Sequence, residues 1–290
     1  MYVPRMLVLV ALSLGVLAPA PLRAVESGTA PVHTLAIIPF YAPERMWQLY
    51  TPFVEYLGRA TGEPWTLKLV TSHDEMIAAV CAGEVDVAFL GPVPAGRVNA
   101  RCGAVPFVVA LGKDLRPVYR AMLLTSDPAV TSTEGLRGRK VGFFRGSTAA
   151  HIVPLSMLRD AGLGPGSFEE VYAESQDKLM TTLLERKIAG AGVKENLYRK
   201  FEKEPVRLLE ASAELPNFAF VALPSLSPAV RERLAGALLP LRPKERAADA
   251  ETMRGWDDEI ANGFAAPAPE FLPAVLRLRD MYEAVMHESR

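Results

Sequence analysis

Cysteine is scarce in this chain: two residues, Cys81 and Cys102, among 290. That excludes a disulfide-dense scaffold and any cysteine-rich metal centre. The four histidines, His33, His73, His151 and His287, are scattered, and none shows the spacing of a metal-ligating pair. Neither sign of charge dominates, with 32 basic against 33 acidic residues, which speaks against a nucleic-acid partner, since that needs a basic face. Beyond the first 24 residues no stretch approaches the roughly 20 apolar residues that a membrane helix requires. Nucleophile elbow, dinucleotide fingerprint and P-loop are all missing. The chain therefore reads as a non-enzyme with no cofactor and no metal.

What is present begins with a leader. Arg5 is followed by the apolar run Met6 to Ala18 and then by Pro19-Ala20-Pro21-Leu22-Arg23-Ala24. This predicts a secretory signal peptide over residues 1–24, cut near Ala24, and an exported soluble product. No cysteine stands near the cut, so a lipid anchor there is not indicated. The remaining length, about 266 residues, suits two compact lobes better than one.

The chain then alternates strands and helices. Thr34 to Pro39, Trp65 to Val70, Val85 to Leu90 and Pro106 to Leu111 read as strands, with helices over Glu44 to Ala60, over His73 to Val80, and ending at Cys102. After Asp114 the pattern restarts: strands at Val118 to Thr125, Lys140 to Phe144, Phe168 to Tyr172, Ile188 to Val193, Arg207 to Glu210 and Phe218 to Leu223, with a helix over Ser175 to Arg186. From Ser227 onward the pattern is helical. Such alternation predicts an α/β fold in which each lobe is a mostly parallel sheet flanked by helices, with ligands at the carboxyl ends of the strands.

The stretch with most chemical content runs from Lys140 to Pro154. A strand passes through Gly146-Ser147-Thr148 into a helix, leaving several backbone N–H groups without intrahelical partners and backed by the helix dipole. Ser147 and Thr148 then read either as plain capping residues or as the hydroxyls of an anion site that adds the N–H groups of Ala149 and Ala150. His151, four residues after Ser147, falls on the same helix face. Pro154 in the second turn predicts a bend. Arg145 reads as a counter-charge or as an ordinary surface residue.

Five stretches in order resemble the phosphate, phosphite and phosphonate binding proteins of ABC importers. They are Thr51-Pro52-Phe53, Gly83 to Pro92, Leu136 to Phe143, Gly146-Ser147-Thr148 with Val153-Pro154, and Gly255-Trp256 with Gly263-Phe264. The resemblance implies the two-lobed type II periplasmic binding protein fold, with a ligand cleft between lobes that close like a hinge. Lobe I would comprise 32–113 and 226–290, and lobe II 114–225. It implies a monomer in the periplasm that hands a small oxyanion to an ABC permease at the inner membrane; the alternative partner is a sensor histidine kinase.

The resemblance also implies a site: Ser147, Thr148, Ala149, Ala150 and His151 on one lobe; Tyr41, beside Phe40, and Leu90-Gly91-Pro92-Val93 on the other; and Gln176 and Glu195 beyond. Family members that bind phosphonates read Ser-Thr-Ser where this chain has Ser147-Thr148-Ala149. Gln176 replaces a histidine, Leu90 an aromatic residue, and the acidic residue near Pro216 is missing. Among the partners of an amino-bearing ligand only Glu195 remains, which favours an oxyanion smaller than 2-aminoethylphosphonate. Cys81 and Cys102 end neighbouring helices away from the ligand edge, which favours a disulfide; the alternative is a thiol ligand at Cys102, as in the family's arsenite-sensing members.

Overall fold

A computed structural model of the protein describes Tyr2 and residues 31–288; the expected leader, apart from Tyr2, lies outside the described residues. The chain opens with β1 (His33–Ile37), α1 (Pro43–Thr61), β2 (Trp65–Lys68), α2 (His73–Cys81), β3 (Val87–Leu90), α3 (Pro92–Cys102) and β4 (Val105–Ala110). β1 pairs in parallel with β2 and β3. Leu35, Ala36 and Ile37 of β1 and Val87, Ala88, Phe89 and Leu90 of β3 are buried without alternation, as expected for strands covered on both faces. Gly62 and Gly103 close α1 and α3 in the left-handed conformation, the usual helix stop.

β5 (Val118–Tyr119) and β6 (Ala121–Thr125) divide what the sequence suggests is one strand. β5 belongs to a small ribbon, while β6 enters a second sheet with β7 (Lys140–Phe143), β8 (Glu169–Tyr172), β9 (Gly190–Lys194) and β10 (Arg207–Ala211), in the order β10-β6-β9-β7-β8. This sheet carries α4 (Val153–Asp160), α5 (Gln176–Leu184) and α6 (Glu195–Phe201). A short 3-10 turn, Thr133–Leu136, stands where a helical turn is expected.

β11 (Leu215–Pro216) then pairs antiparallel with β5. β12 (Ala219–Ala222) inserts antiparallel between β3 and β4. After α7 (Pro228–Leu238) and α8 (Ala247–Thr252), β13 (Phe264–Ala265) adds to β4, and α9 (Phe271–Glu288) ends the fold. The first sheet is thus β13-β4-β12-β3-β1-β2.

Two expectations change. The stretch from Phe218 to Leu223, expected within lobe II, lies in the first sheet, so the return crossing falls at Leu215–Pro216, well before residue 226. The stretch after Ser227, expected to be helical, includes the strand β13. Most strands still point one way in each sheet, with β12 and β13 reversed in the first and β6 in the second. No helix among the described residues is long and apolar enough to cross a membrane.

Cys81 and Cys102 form a disulfide, with S–S 2.04 Å and Cα–Cα 5.4 Å. It ties the carboxyl ends of α2 and α3 together. The alternative of a thiol ligand at Cys102 is overturned, because neither sulfur is free.

Candidate functional site

The loop after β7 is shaped by its own sequence. Gly146 has φ +79°, and a side chain there would strike His73 of α2, whose Cβ would lie at 2.9 Å; only glycine suits both demands. Ser147 starts the next turn, and its Oγ accepts the Ala150 N–H at 3.2 Å. Thr148–Ile152 is a single π-type turn, with the Ile152 N–H reaching Ser147 O at 3.0 Å. Pro154 explains it. A regular helix would direct the Ala150 carbonyl at the proline, which has no N–H and whose ring would collide there. Here the Ala150 carbonyl instead accepts the Phe144 N–H at 2.9 Å. The bend expected at Pro154 is therefore a widened turn before α4, with Pro154 in the first turn of that helix, where proline is tolerated.

This turn faces the first lobe. The Val93 N–H, at the start of α3, donates to Thr148 Oγ1 at 2.9 Å, and both residues are buried. Gly91 caps α3 without a side chain, and a Cβ there would press on the Phe218 ring at 2.9 Å. Two helix starts, one from each lobe, thus meet at Thr148. Beside it lies Tyr119, whose buried hydroxyl has no aligned hydrogen-bond partner among the described residues. Burial pushes that phenol up, so it remains protonated and able to donate.

Next to Tyr119 the cleft holds Lys194, the last residue of β9, 4% exposed. Its ammonium pairs with Glu259 and donates to Asn217 Oδ1 at 3.1 Å. It also sits 4.5 Å from the centre of the Tyr119 ring and 4.1 Å from that of Phe218. The other Glu259 oxygen accepts from Asn196. Burial lowers the Lys194 pKa, and Glu259 opposes that shift. Burial, then the neighbouring Glu259 carboxylate, raises Asp257, which accepts the Tyr50 hydroxyl at 3.2 Å. A cavity of about 390 Å³ adjoins, lined in part by Tyr119, Lys194, Asn196, Asn217 and Glu259.

The residues expected from sequence scatter around this centre. Ser147, Thr148, Ala149, Ala150, Gly91, Pro92 and Val93 gather at the junction of the two helix starts. The phenol of Tyr41, half-buried, is pushed up by burial and then by Asp257 and Glu259. The Leu90 side chain is fully buried, next to β12. His151 is also buried: its Nδ1 accepts the Gly146 N–H at 3.1 Å, and Nε2 meets the Tyr172 hydroxyl at 3.2 Å. That hydroxyl donates to Glu170. His151 therefore braces the turn from behind. Arg145 is exposed and stacks on Tyr172 at 3.6 Å, the surface role. Gln176 is buried at the start of α5, beside Asp177, which pairs with Arg45 of α1 at 2.8 Å. Glu195 lines the cavity and accepts from Arg199 at 3.0 Å.

Sequence reading misses Tyr119, Lys194, Asn217 and Glu259. Asn217 stands where an acidic residue is expected and lacking, and that gap is the one signal pointing to it. The others sit at strand ends and in a loop with no local pattern.

Three solved structures share the fold. A binding protein component of an ABC phosphonate transporter from Pseudomonas aeruginosa matches with TM-score 0.77 and 16% identity, over 90% of this chain and 89% of that one. A Xanthomonas citri protein bound to chloride ion matches with TM-score 0.75 and 16% identity, over 88% and 99%. PhnD1 from Prochlorococcus marinus, in complex with methylphosphonate, matches with TM-score 0.74 and 12% identity, over 88% and 98%. The type II periplasmic binding protein fold implied by the resemblance is the one present. The family model for the periplasmic substrate-binding protein of phosphonate ABC transporters matches residues 35–270, and the chain belongs to that family.

Proposed function

We propose that this protein captures a small phosphorus oxyanion, such as phosphate, phosphite or methylphosphonate, at the junction of α3 and the Ser147–Ile152 turn, and delivers it to an ABC permease. The observation that carries this reading is the hydrogen bond from Val93 N–H to Thr148 Oγ1, which brings two helix starts from opposite lobes face to face. An oxyanion entering there would exchange that bond for charge-assisted ones from Val93 N–H, Thr148 Oγ1 and the N–H groups of the turn, each worth roughly 1.5–3 kcal/mol. The buried Tyr119 hydroxyl, beside Thr148 but without an aligned acceptor, would gain one. Methylphosphonate is what PhnD1, of the same fold, was solved with. The protein acts as a monomer without catalysis, after removal of its leader near Ala24. The arsenite-sensor alternative loses its thiol to the disulfide.

Calorimetric titration with phosphate, phosphite, methylphosphonate, sulfate and arsenite tests the reading. At least one of the three phosphorus oxyanions should bind, and Ser147→Ala with Thr148→Val should weaken it by a hundredfold or more. Unchanged affinity in that double variant would remove the site.

A further inference from the structure

The Lys194 side chain ends in a receptor built for a primary ammonium. One carboxylate (Glu259), one amide oxygen (Asn217) and two aromatic faces (Tyr119 and Phe218) surround its Nζ. This combination of carboxylate, carbonyl and π-faces is how proteins recognise alkylammonium ions. The receptor is held in place by other contacts. Asn217 Nδ2 donates to the Ala110 carbonyl at 3.0 Å and its Oδ1 accepts the Phe218 N–H at 2.9 Å, so the oxygen must face the ammonium. Glu259 is held by Asn196 and by its own N–H, which donates to Asp257 at 3.0 Å. The receptor side chains Glu259, Asn217 and Phe218 lie beside the first sheet, whereas Lys194 reaches in from the second.

We infer that Lys194 is a specificity-determining residue: it fills an ammonium receptor in the cleft with the chain's own amine, so the cleft accepts oxyanions whose substituent carries no amine. The inference rests on the oxyanion reading above. Tyr119 connects the two regions, with its ring on Lys194 and its hydroxyl beside Thr148. A ligand with its anionic group at Thr148 and a short substituent would extend past Tyr119 to the receptor. An apolar methyl there meets rings, whereas an ammonium would meet the Lys194 charge where Lys194 already holds Glu259 and Asn217, and where two further lining carboxylates, Glu195 and Asp258, are paired with Arg199 and Lys200.

Lys194→Ala removes the equivalent of one propylammonium ion, which supplies the probe. Propylammonium chloride should raise the melting temperature of Lys194→Ala by several degrees, while 1-propanol should not, and the unmodified protein should respond to neither. In titrations the unmodified protein should favour methylphosphonate over 2-aminoethylphosphonate by at least tenfold, and Lys194→Ala should shift that ratio tenfold or more toward the amine. Equal effects of propylammonium and propanol, or no effect of either, would refute the receptor. An unchanged ratio in Lys194→Ala would refute the specificity role, and so would equal binding of both phosphonates by the unmodified protein, a result that stands even if Lys194→Ala failed to fold. If no oxyanion binds the unmodified protein, the proposed function fails, while the propylammonium result still decides the receptor.

Discussion

At the residue scale, the buried histidines are the clearest chemical commitment outside the cleft. Burial holds His151 at about 4, against 6.5 in the unfolded chain, helped by the nearby Arg145 charge. Burial likewise holds His73 at about 3, with Asp74 opposing. Both are therefore neutral in the fold, and His151 must be so for Nδ1 to accept from Gly146. Between the folded and unfolded values the unfolded chain binds more protons, so stability falls as pH drops. The contribution is complete above about pH 6.5 and is lost between there and about pH 3, by up to about 1.4 kcal/mol per pH unit for each imidazole. Scanning calorimetry across that range should show His151→Gln with a shallower decline than the unmodified protein between pH 6.5 and 4. Parallel curves would rule His151 out as a source.

At the element scale, α2 and α3 carry the interlobe contacts at their starts and the disulfide at their ends. The capping of α2 is built from Ser72, which accepts the Glu75 N–H at 3.1 Å, and from Glu75, which accepts the Thr71 N–H at 2.7 Å. α3 is packed close to α9 at Gly96, where a Cβ would meet the Val275 carbonyl at 2.9 Å. The disulfide spans 21 residues, which corresponds to about 3 kcal/mol in the chain-entropy model. Cys81→Ala with Cys102→Ala should lower the melting temperature by several degrees and leave oxyanion affinity within about threefold, because the bridge lies at the helix ends remote from Thr148. Thiol titration of the unfolded, unreduced protein should find none. A tenfold loss of affinity in the double variant would show that the bridge also sets the α3 start.

At the scale of the whole molecule, the lobes are joined by the β5–β11 ribbon, and α9 packs on α3 while also touching β11 and the Thr148–Ile152 turn. Around the cleft they meet through Thr148 and Val93, Asp177 and Arg45, and Lys194 and Glu259. If ligand shifts a hinge equilibrium toward this arrangement, small-angle scattering should give a smaller radius of gyration with saturating oxyanion than without. Lys194→Met should enlarge the ligand-free radius, since it breaks one buried tie and leaves Glu259 unpaired. Identical radii in all states would dispose of the hinge.

Much of this was legible from local pattern. The alternating strands and helices, the turn at Gly146 and the placement of both cysteines at helix ends all follow from short-range rules that each segment obeys by itself. The meaning of the glycines in β9 is tertiary: a methyl on Gly192 would collide with the Pro154 ring. Sheet membership was equally out of reach. Phe218 to Leu223 is a uniformly apolar run, buried in either lobe, and only its pairing with β3 and β4 decides between them. The sequence alone determined an α/β chain of the phosphonate-binding family with hydroxyls at a helix start. The tertiary structure alone brought Tyr119, Lys194, Asn217 and Glu259 together, from segments up to 140 residues apart, because a buried charge finds its partners by packing and not by spacing along the chain.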